Sequence, residues 1–325
     1  MTEQLTSAAH AQETIAPDEA TLTASFIDFL KSVSAKRHPT GIVRRFNQGR
    51  AAGCVEAEFS VPDDVPAVLR VGLFSRGGTY PAWIRFANAS STSDRDKDVR
   101  GMAIKVRKVP GTNLTPGATT QDFVLNSHPV MPASGVRDFL ELLRAMDAGG
   151  VRLAWFFLSH PRSARVGLAA RQNPTCHLDL PYWSTTPYLF GPGRAVKYAV
   201  RPTSSRTSTL PTPLTDTYLR DALAAHLAQG EATFDFMIQF QSDNRTMPIE
   251  DAMVEWNERD SPFRTVARIR IPPQAIDTPE REAACEQVAF NPWNCLIDHR
   301  PLGGMNRARK EIYRAMAAFR QERSG

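Results

Sequence analysis

The feature that most constrains the fold lies at the end of the chain, where residues 305–323 read MNRARKEIYRAMAAFRQER. Ile312, Met316 and Phe319 fall at i, i+4 and i+7, the spacing of one buried stripe on a helix with 3.6 residues per turn. Arg309, Tyr313 and Arg320 fall at i, i+4 and i+11. Eleven residues make close to three full turns, so these side chains share a second face. A phenol between two guanidiniums is an unusual group to point inward. An arginine one turn before a tyrosine stabilises the ionised phenolate of a side chain whose pKa is ordinarily about 10. A phenolate is a hard anionic ligand for ferric iron. The rest of the chain is read as organised around this helix.

Upstream, residues 23–36 form an expected helix with Phe26, Phe29, Leu30 and Val33 on one face. The pattern then changes to strands. Residues 54–61 alternate, 69–74 resume in extended form after a proline-flanked turn, and 81–86 and 101–106 are further strands. The polar loop 90–98 is expected at the surface. Residues 121–130 are extended again, followed by a helix at 134–146 and a short apolar helix at 151–158 with proline-punctuated connections up to residue 190. Strand signals return at 195–200, 233–241 and 264–271, with a helix at 217–228 and an irregular connection around Trp256. Strands, a helical insertion, strands and terminal helices argue for an α+β architecture: an antiparallel sheet or barrel with helices gathered at one side. No repeat or linker divides the chain, which is read as a flexible tail over 1–25 and a single domain over 26–325.

Composition excludes several function classes. A chain with 42% hydrophobic and 22% charged residues reads as an ordinary soluble globular protein. The net charge of +5 is spread along the sequence, too diffuse for a nucleic-acid footprint. The N-terminal residues lack the positive and apolar regions of a secretory signal. The longest strongly apolar stretch, 153–158, is far short of the roughly 20 residues of a membrane span. Cys54, Cys176, Cys285 and Cys295 occur singly with no CxxC pair. That spacing argues against a zinc site or a disulfide framework and for a reducing compartment, so a cytoplasmic protein is expected.

Seven segments, in order, carry a resemblance: RFNQGR at 45–50, WIRF at 83–86, RDKDVRGMAIK at 95–105, QDFVLNSHPV at 121–130, TPYLFGPGRAVK at 186–197, FNP at 290–292, and the Arg309/Tyr313 helix. Together they are similar to the catalase-like haem proteins over residues 44–320. The length suits small members that keep the haem-bearing barrel and lack the further C-terminal domain of larger catalases. The resemblance implies a catalase-like antiparallel β-barrel with surrounding helices and a b-type haem buried between barrel and C-terminal helix. It makes Tyr313 the proximal iron ligand, as tyrosine is in catalases, with Arg309 its supporting cation. It assigns Arg45, Arg85 and Arg320 to the haem propionates, where a guanidinium grips a carboxylate through two charge-assisted hydrogen bonds. Phe139 matches an aromatic near the distal face, and Asn126 the asparagine that hydrogen-bonds peroxide.

The departures matter more. Where the family has its distal histidine, this chain has Gln48, preceded by Asn47; the serine that supports that histidine is Ala87, and a distal phenylalanine becomes Met131. The histidine moves a proton between the two oxygens of peroxide. An amide has no accessible pKa near 7, so Gln48 orients a ligand but cannot shuttle its proton. General acid–base catalysis is worth about 10²–10⁴ in rate, so poor hydrogen peroxide dismutation is expected. His128 and His299 are the candidate substitutes for the missing base, His128 the better placed.

The resemblance and its departures imply a haem-dependent peroxidase, oxygenase, or hydroperoxide or N–O isomerase or dehydratase. Gln48, Asn126 and Arg309 are then the working residues and the substrate is a small organic molecule. The alternative is a non-catalytic haem-binding protein for sensing or storage. Neither reading involves nucleic acid, and self-association into a homo-oligomer is left open.

Overall fold

The alternating segments of the first half pair as successive antiparallel strands in a computed structural model, which describes residues 11–40, 43 and 45–324. These strands are β1 (Ala51–Val61), β2 (Gly78–Asn88), β3 (Arg100–Arg107) and β4 (Thr120–Asn126). The short β5 (Tyr182–Trp183) and β6 (Tyr188–Leu189) precede a second run of β7 (Ala195–Pro202), β8 (Ala232–Phe240) and β9 (Arg264–Ile271). Because β9 pairs with β1 while β5 bridges β4 to β7, eight strands close into an antiparallel barrel, and β6 adds to β7. Around it lie α1 (Glu19–Arg37), α2 (Val136–Ala148), α3 (Gly150–Ser159), α4 (Pro161–Ala170), α5 (Tyr218–Gln229), α6 (Pro279–Gln287) and α7 (Gly304–Ser324). The architecture is the expected α+β, catalase-like barrel.

The barrel interior follows from strand alternation, since every second side chain of each strand points inward. Phe59, Phe123, Tyr198 and Phe236 meet there, with ring centroids 4.6 Å apart for Phe123 and Phe236 and 5.1 Å for Phe123 and Tyr198. A second, smaller core joins Phe26 and Leu30 of α1, Leu140 of α2, and Ala308, Ile312 and Met316 of α7. The stripe read on the terminal helix is therefore the seam that α7 presents to α1 and α2. Phe319 lies outside that core, under the Arg323 guanidinium. The start of α7 is held by Arg307, whose guanidinium meets Glu13 at 2.6 Å, Glu19 at 2.8 Å and Glu250 at 3.3 Å.

Several expectations are corrected. Residues 11–18, placed in a tail, are tied down through Glu13 and Thr14, and α1 begins at Glu19. The stretch 69–74 is not extended: Pro66 and Gly72, the latter at φ 52°, turn it into two short 3₁₀ helices. The loop 90–98 is not all surface, because Asp94 and Asp98 are buried. Asp98 accepts the backbone N–H groups of Ser90 and Ser91, and Asp94 accepts that of Leu219 at the start of α5. The helix α4 stands where a proline-punctuated connection was read. The cysteine reading fails most clearly, since Cys54 of β1 and Cys285 of α6 form a disulfide with their Cα atoms 5.6 Å apart. The two are 231 residues apart in sequence, and only the packing of α6 on β1 brings them together. The argument from cysteine spacing to a reducing compartment falls with it.

Two histidines are sealed into this fold. His299 accepts the Leu73 N–H through Nε2 at 3.1 Å and lies against Phe74 and Phe190. His177 lies against Tyr182 and Phe86. Burial drives His299 down to about 4, and burial with the nearby Arg100 charge drives His177 to about 3. Folded values below the unfolded value mean that the unfolded chain binds more protons through this window, so stability falls as pH falls from about 6.5 towards 4. Asp122, pushed up to about 6 by burial despite Lys105 beside it, acts in the opposite sense and offsets one of the two histidines. The unfolding free energy is therefore expected to drop by on the order of a few kcal/mol between pH 6.5 and pH 4 in urea titrations. His299→Gln, which keeps an acceptor for Leu73, is expected to flatten that slope, and an unchanged slope contradicts the assignment.

Candidate functional site

Arg85 of β2, Ala103 of β3 and Val124 of β4 stand in one cross-strand row, and Ala87, Gly101 and Asn126 in the next. On the outer face of the barrel these rows floor a cavity of about 540 Å³, lined by Arg85, Ala103, Val124 and Asn126. Small side chains keep that floor flat. At Gly101 the reason is direct, because a Cβ there would overlap the Gln48 amide that lies against it. Gln48 sits at φ 56° in the turn before β1, with its N–H donating to the Ala89 carbonyl at 2.8 Å and its own carbonyl accepting from Arg85 at 2.7 Å. Asn47 and Met131 also line the cavity.

The helix α7 forms a wall of the same cavity through Arg309, Tyr313 and Arg320. Arg309 donates to the Tyr313 hydroxyl at 3.2 Å and to Asn306 Oδ1 at 3.1 Å. Asn306 is fully buried and donates in turn to the carbonyls of Pro187 and Leu302, both at 2.9 Å, so it fixes the direction of the Arg309 guanidinium. Burial acts to lower Arg309, yet the Tyr313 and Tyr188 phenol oxygens hold it above its ordinary value. Phe290, Asn291 and Trp293 complete a side of the cavity. Their segment is pinned by the buried carboxylate of Asp122, which meets Lys105 at 2.6 Å and accepts the Asn291 N–H at 2.9 Å.

A third cluster collects positive charge. Arg45, Arg85 and Arg320 all line the cavity, and Glu286 is the one carboxylate among the described residues that their charges feel. Arg45 donates to Glu286 at 3.2 Å and to the Val288 carbonyl at 2.8 Å, at the end of the helix that the disulfide ties to β1. Arg85 is 2% exposed, and its Nε has no hydrogen-bond partner. Burial, with the Arg45 and Arg320 charges, pushes its guanidinium down to about 10. Buried cations persist where something anionic meets them. A surplus of guanidinium with an unpaired donor is a receptor for carboxylates. A ligand with two carboxylates, a flat body and an acceptor for a phenol oxygen fits this cavity, and a haem has those features.

Of the residues singled out by sequence, Gln48, Asn126, Arg45, Arg85, Phe139, Arg309, Tyr313 and Arg320 line this one cavity. His128 and His299 do not. His128 is occupied locally with the Val130 carbonyl at 3.2 Å, and His299 is buried against Phe74 and Phe190. Sequence reasoning missed Asn306, which sits one turn before Arg309 and looked like an ordinary helix residue. It also missed Phe26 and Leu30 as cavity residues, although their shared face was legible.

No family model matches the chain. A catalase-related peroxidase from Mycolicibacterium paratuberculosis is 29% identical over 232 residues, covering 66% of this chain and 70% of the relative. Among solved structures, a fungal catalase superposes with a TM-score of 0.69 at 17% identity, and catalase A of Saccharomyces cerevisiae with 0.67, also at 17%. Each covers 98% of this chain, which spans 66% and 68% of those proteins. The chain thus has the catalase-like fold and is similar in sequence to a catalase-related peroxidase.

In protein without a bound anion, the three guanidiniums repel one another. Arg320→Gln is therefore expected to raise the stability of the ligand-free protein by up to about 1 kcal/mol, the upper end of what a solvent-screened charge pair is worth. A loss of stability in thermal melts of that variant contradicts the view of these arginines as a cluster awaiting an anion.

Proposed function

We propose that residues 26–325 act as one haem-binding unit that uses a b-type haem to reduce or rearrange organic hydroperoxides or N–O compounds. In this reading Tyr313 is the iron ligand, Arg309 its supporting cation, and Arg45, Arg85 and Arg320 hold the propionates. The observation that carries it is the shared cavity, in which the Arg309–Tyr313 pair, the guanidinium cluster and the amides of Gln48 and Asn126 line one space.

When bound, the haem supplies redox-active iron able to cleave an O–O or N–O bond. The chain's own residues then set what is cleaved. Gln48 and Asn126 are amides, each able to donate and accept, so they hold the oxygen function of a substrate in place without taking its proton. Phe26, Leu30, Met131 and Phe139 line the same cavity and favour an organic substituent over water. Phe139 is braced edge-on by Phe26, with centroids 5.8 Å apart. The name of the curated relative, a catalase-related peroxidase, supports a peroxidase-type reaction.

The lack of a base among the distal residues also favours a second reading, a haem protein that binds and does not turn over. One experiment separates them. With haem-loaded protein, oxidation of a phenolic reductant by cumene hydroperoxide is expected to outpace oxygen release from hydrogen peroxide. Gln48→His is expected to raise hydrogen peroxide turnover by at least about tenfold, within the range that general acid–base catalysis supplies. No product from either oxidant favours the storage reading, and rapid oxygen release by the unaltered protein contradicts the role given to Gln48.

A further inference from the structure

The helix α3 carries apolar side chains on two faces. Its inner face, with Leu153, Phe156 and Phe157, packs on Leu142 and Ala145 of α2. Its outer face carries Val151, Trp155 and Leu158 at i, i+4 and i+7, one stripe on the helix. These side chains are 86%, 70% and 76% exposed, and Leu168 of α4 is 79% exposed. Scattered surface leucines need no explanation, but an apolar stripe on one helix with a further leucine on the next is a contiguous feature.

The charge along this segment is one-sided. From Ala148 to Leu178 the chain has Arg152, Arg162, Arg165 and Arg171 and no acidic residue. All four arginines are exposed. Arg165 lies one turn before Leu168, on the same side of α4. Arg162 meets Asp251 at 3.7 Å, and Arg171 donates to the Lys97 carbonyl, whereas Arg152 and Arg165 pair with no carboxylate among the described residues. A second copy docked here by a two-fold axis would bring the same basic patch to both sides of the interface, with no acidic residue of this segment to meet it. A tryptophan with aliphatic neighbours on a segment carrying exposed, unpaired arginines instead matches an anionic bilayer surface, where apolar side chains enter the acyl boundary and cations meet the headgroups.

We infer that α3 and α4 form a peripheral docking surface for anionic lipid membranes, with Trp155, Leu158 and Leu168 entering the bilayer and Arg152 and Arg165 facing the headgroups. No helix among the described residues is long and apolar enough to cross a membrane, so the contact is interfacial. The inference needs only α2, α3 and α4 and stands apart from the haem reading.

The test is co-sedimentation of the full chain with vesicles of phosphatidylcholine alone or mixed with phosphatidylglycerol. Binding is expected to the mixed vesicles, at least about tenfold tighter than to phosphatidylcholine alone, and to weaken as salt rises. Trp155→Ser with Leu158→Ser, and separately Arg152→Glu with Arg165→Glu, are each expected to weaken it at least about tenfold. All four positions are exposed, so far-ultraviolet circular dichroism should be unchanged. Failure to sediment with either vesicle, or equal binding to both, overturns the inference. So does a lipid-free dimer that the Trp155/Leu158 variant dissolves in analytical ultracentrifugation, since the face would then join two copies of the chain.

Discussion

The cavity exists because Arg307 fixes the start of the last helix against the barrel. Its guanidinium gathers Glu13 from the N-terminal segment, Glu19 from the first turn of α1 and Glu250 from the connection before β9. These partners hold it above the ordinary arginine value, even though burial acts to lower it. Asn306 is the preceding residue and Arg309 follows two later, so the ion cluster sets the rotation of α7 that turns Arg309 and Tyr313 inward. A partly buried cation among three carboxylates is strongly coupled to all of them. The N-terminal residues are thus part of the scaffold of the site.

The two sides of the cavity are built on different principles. The α7 wall is strongly directional: Asn306 orients Arg309, and Arg309 donates to Tyr313. The barrel floor is permissive, with Gly101, Ala103 and Val124 offering little beyond flatness. Gln48 fits tightly over Gly101, where its backbone, at positive φ, is held by Ala89 and Arg85. The backbone carbonyl of Gln48 also takes one donor of the buried Arg85. The turn that carries the Gln48 amide and the guanidinium cluster are therefore mechanically linked.

What could be read from sequence and what could not divides along the range of the interaction. Residues 264–271 alternate cleanly, and β9 falls on those bounds. The trio on α7 was legible because three residues on one helix share a face by period alone. The helix α6 was not, because PEREAACEQ has almost no apolar face, and its role is to present carbonyls to Arg45. The Cys54–Cys285 bond was invisible for the same reason: no local spacing encodes closure between β1 and a helix over two hundred residues later. Gln48 could be placed only through the family resemblance, since an asparagine–glutamine–glycine turn carries no signal of its own.

The account stands on the phenol of Tyr313 as the group that meets iron. The most direct measurement is a hemin titration of the purified chain and of Tyr313→Phe, followed by visible absorption and resonance Raman spectroscopy. The unaltered protein is expected to take up one haem and show phenolate ring vibrations coupled to a charge-transfer band. The variant should lose those vibrations and bind hemin at least about tenfold more weakly, as expected when an anionic ligand held by a charge-assisted hydrogen bond is removed. Identical spectra and affinity for the two proteins, or a protein that takes up no hemin, would contradict it.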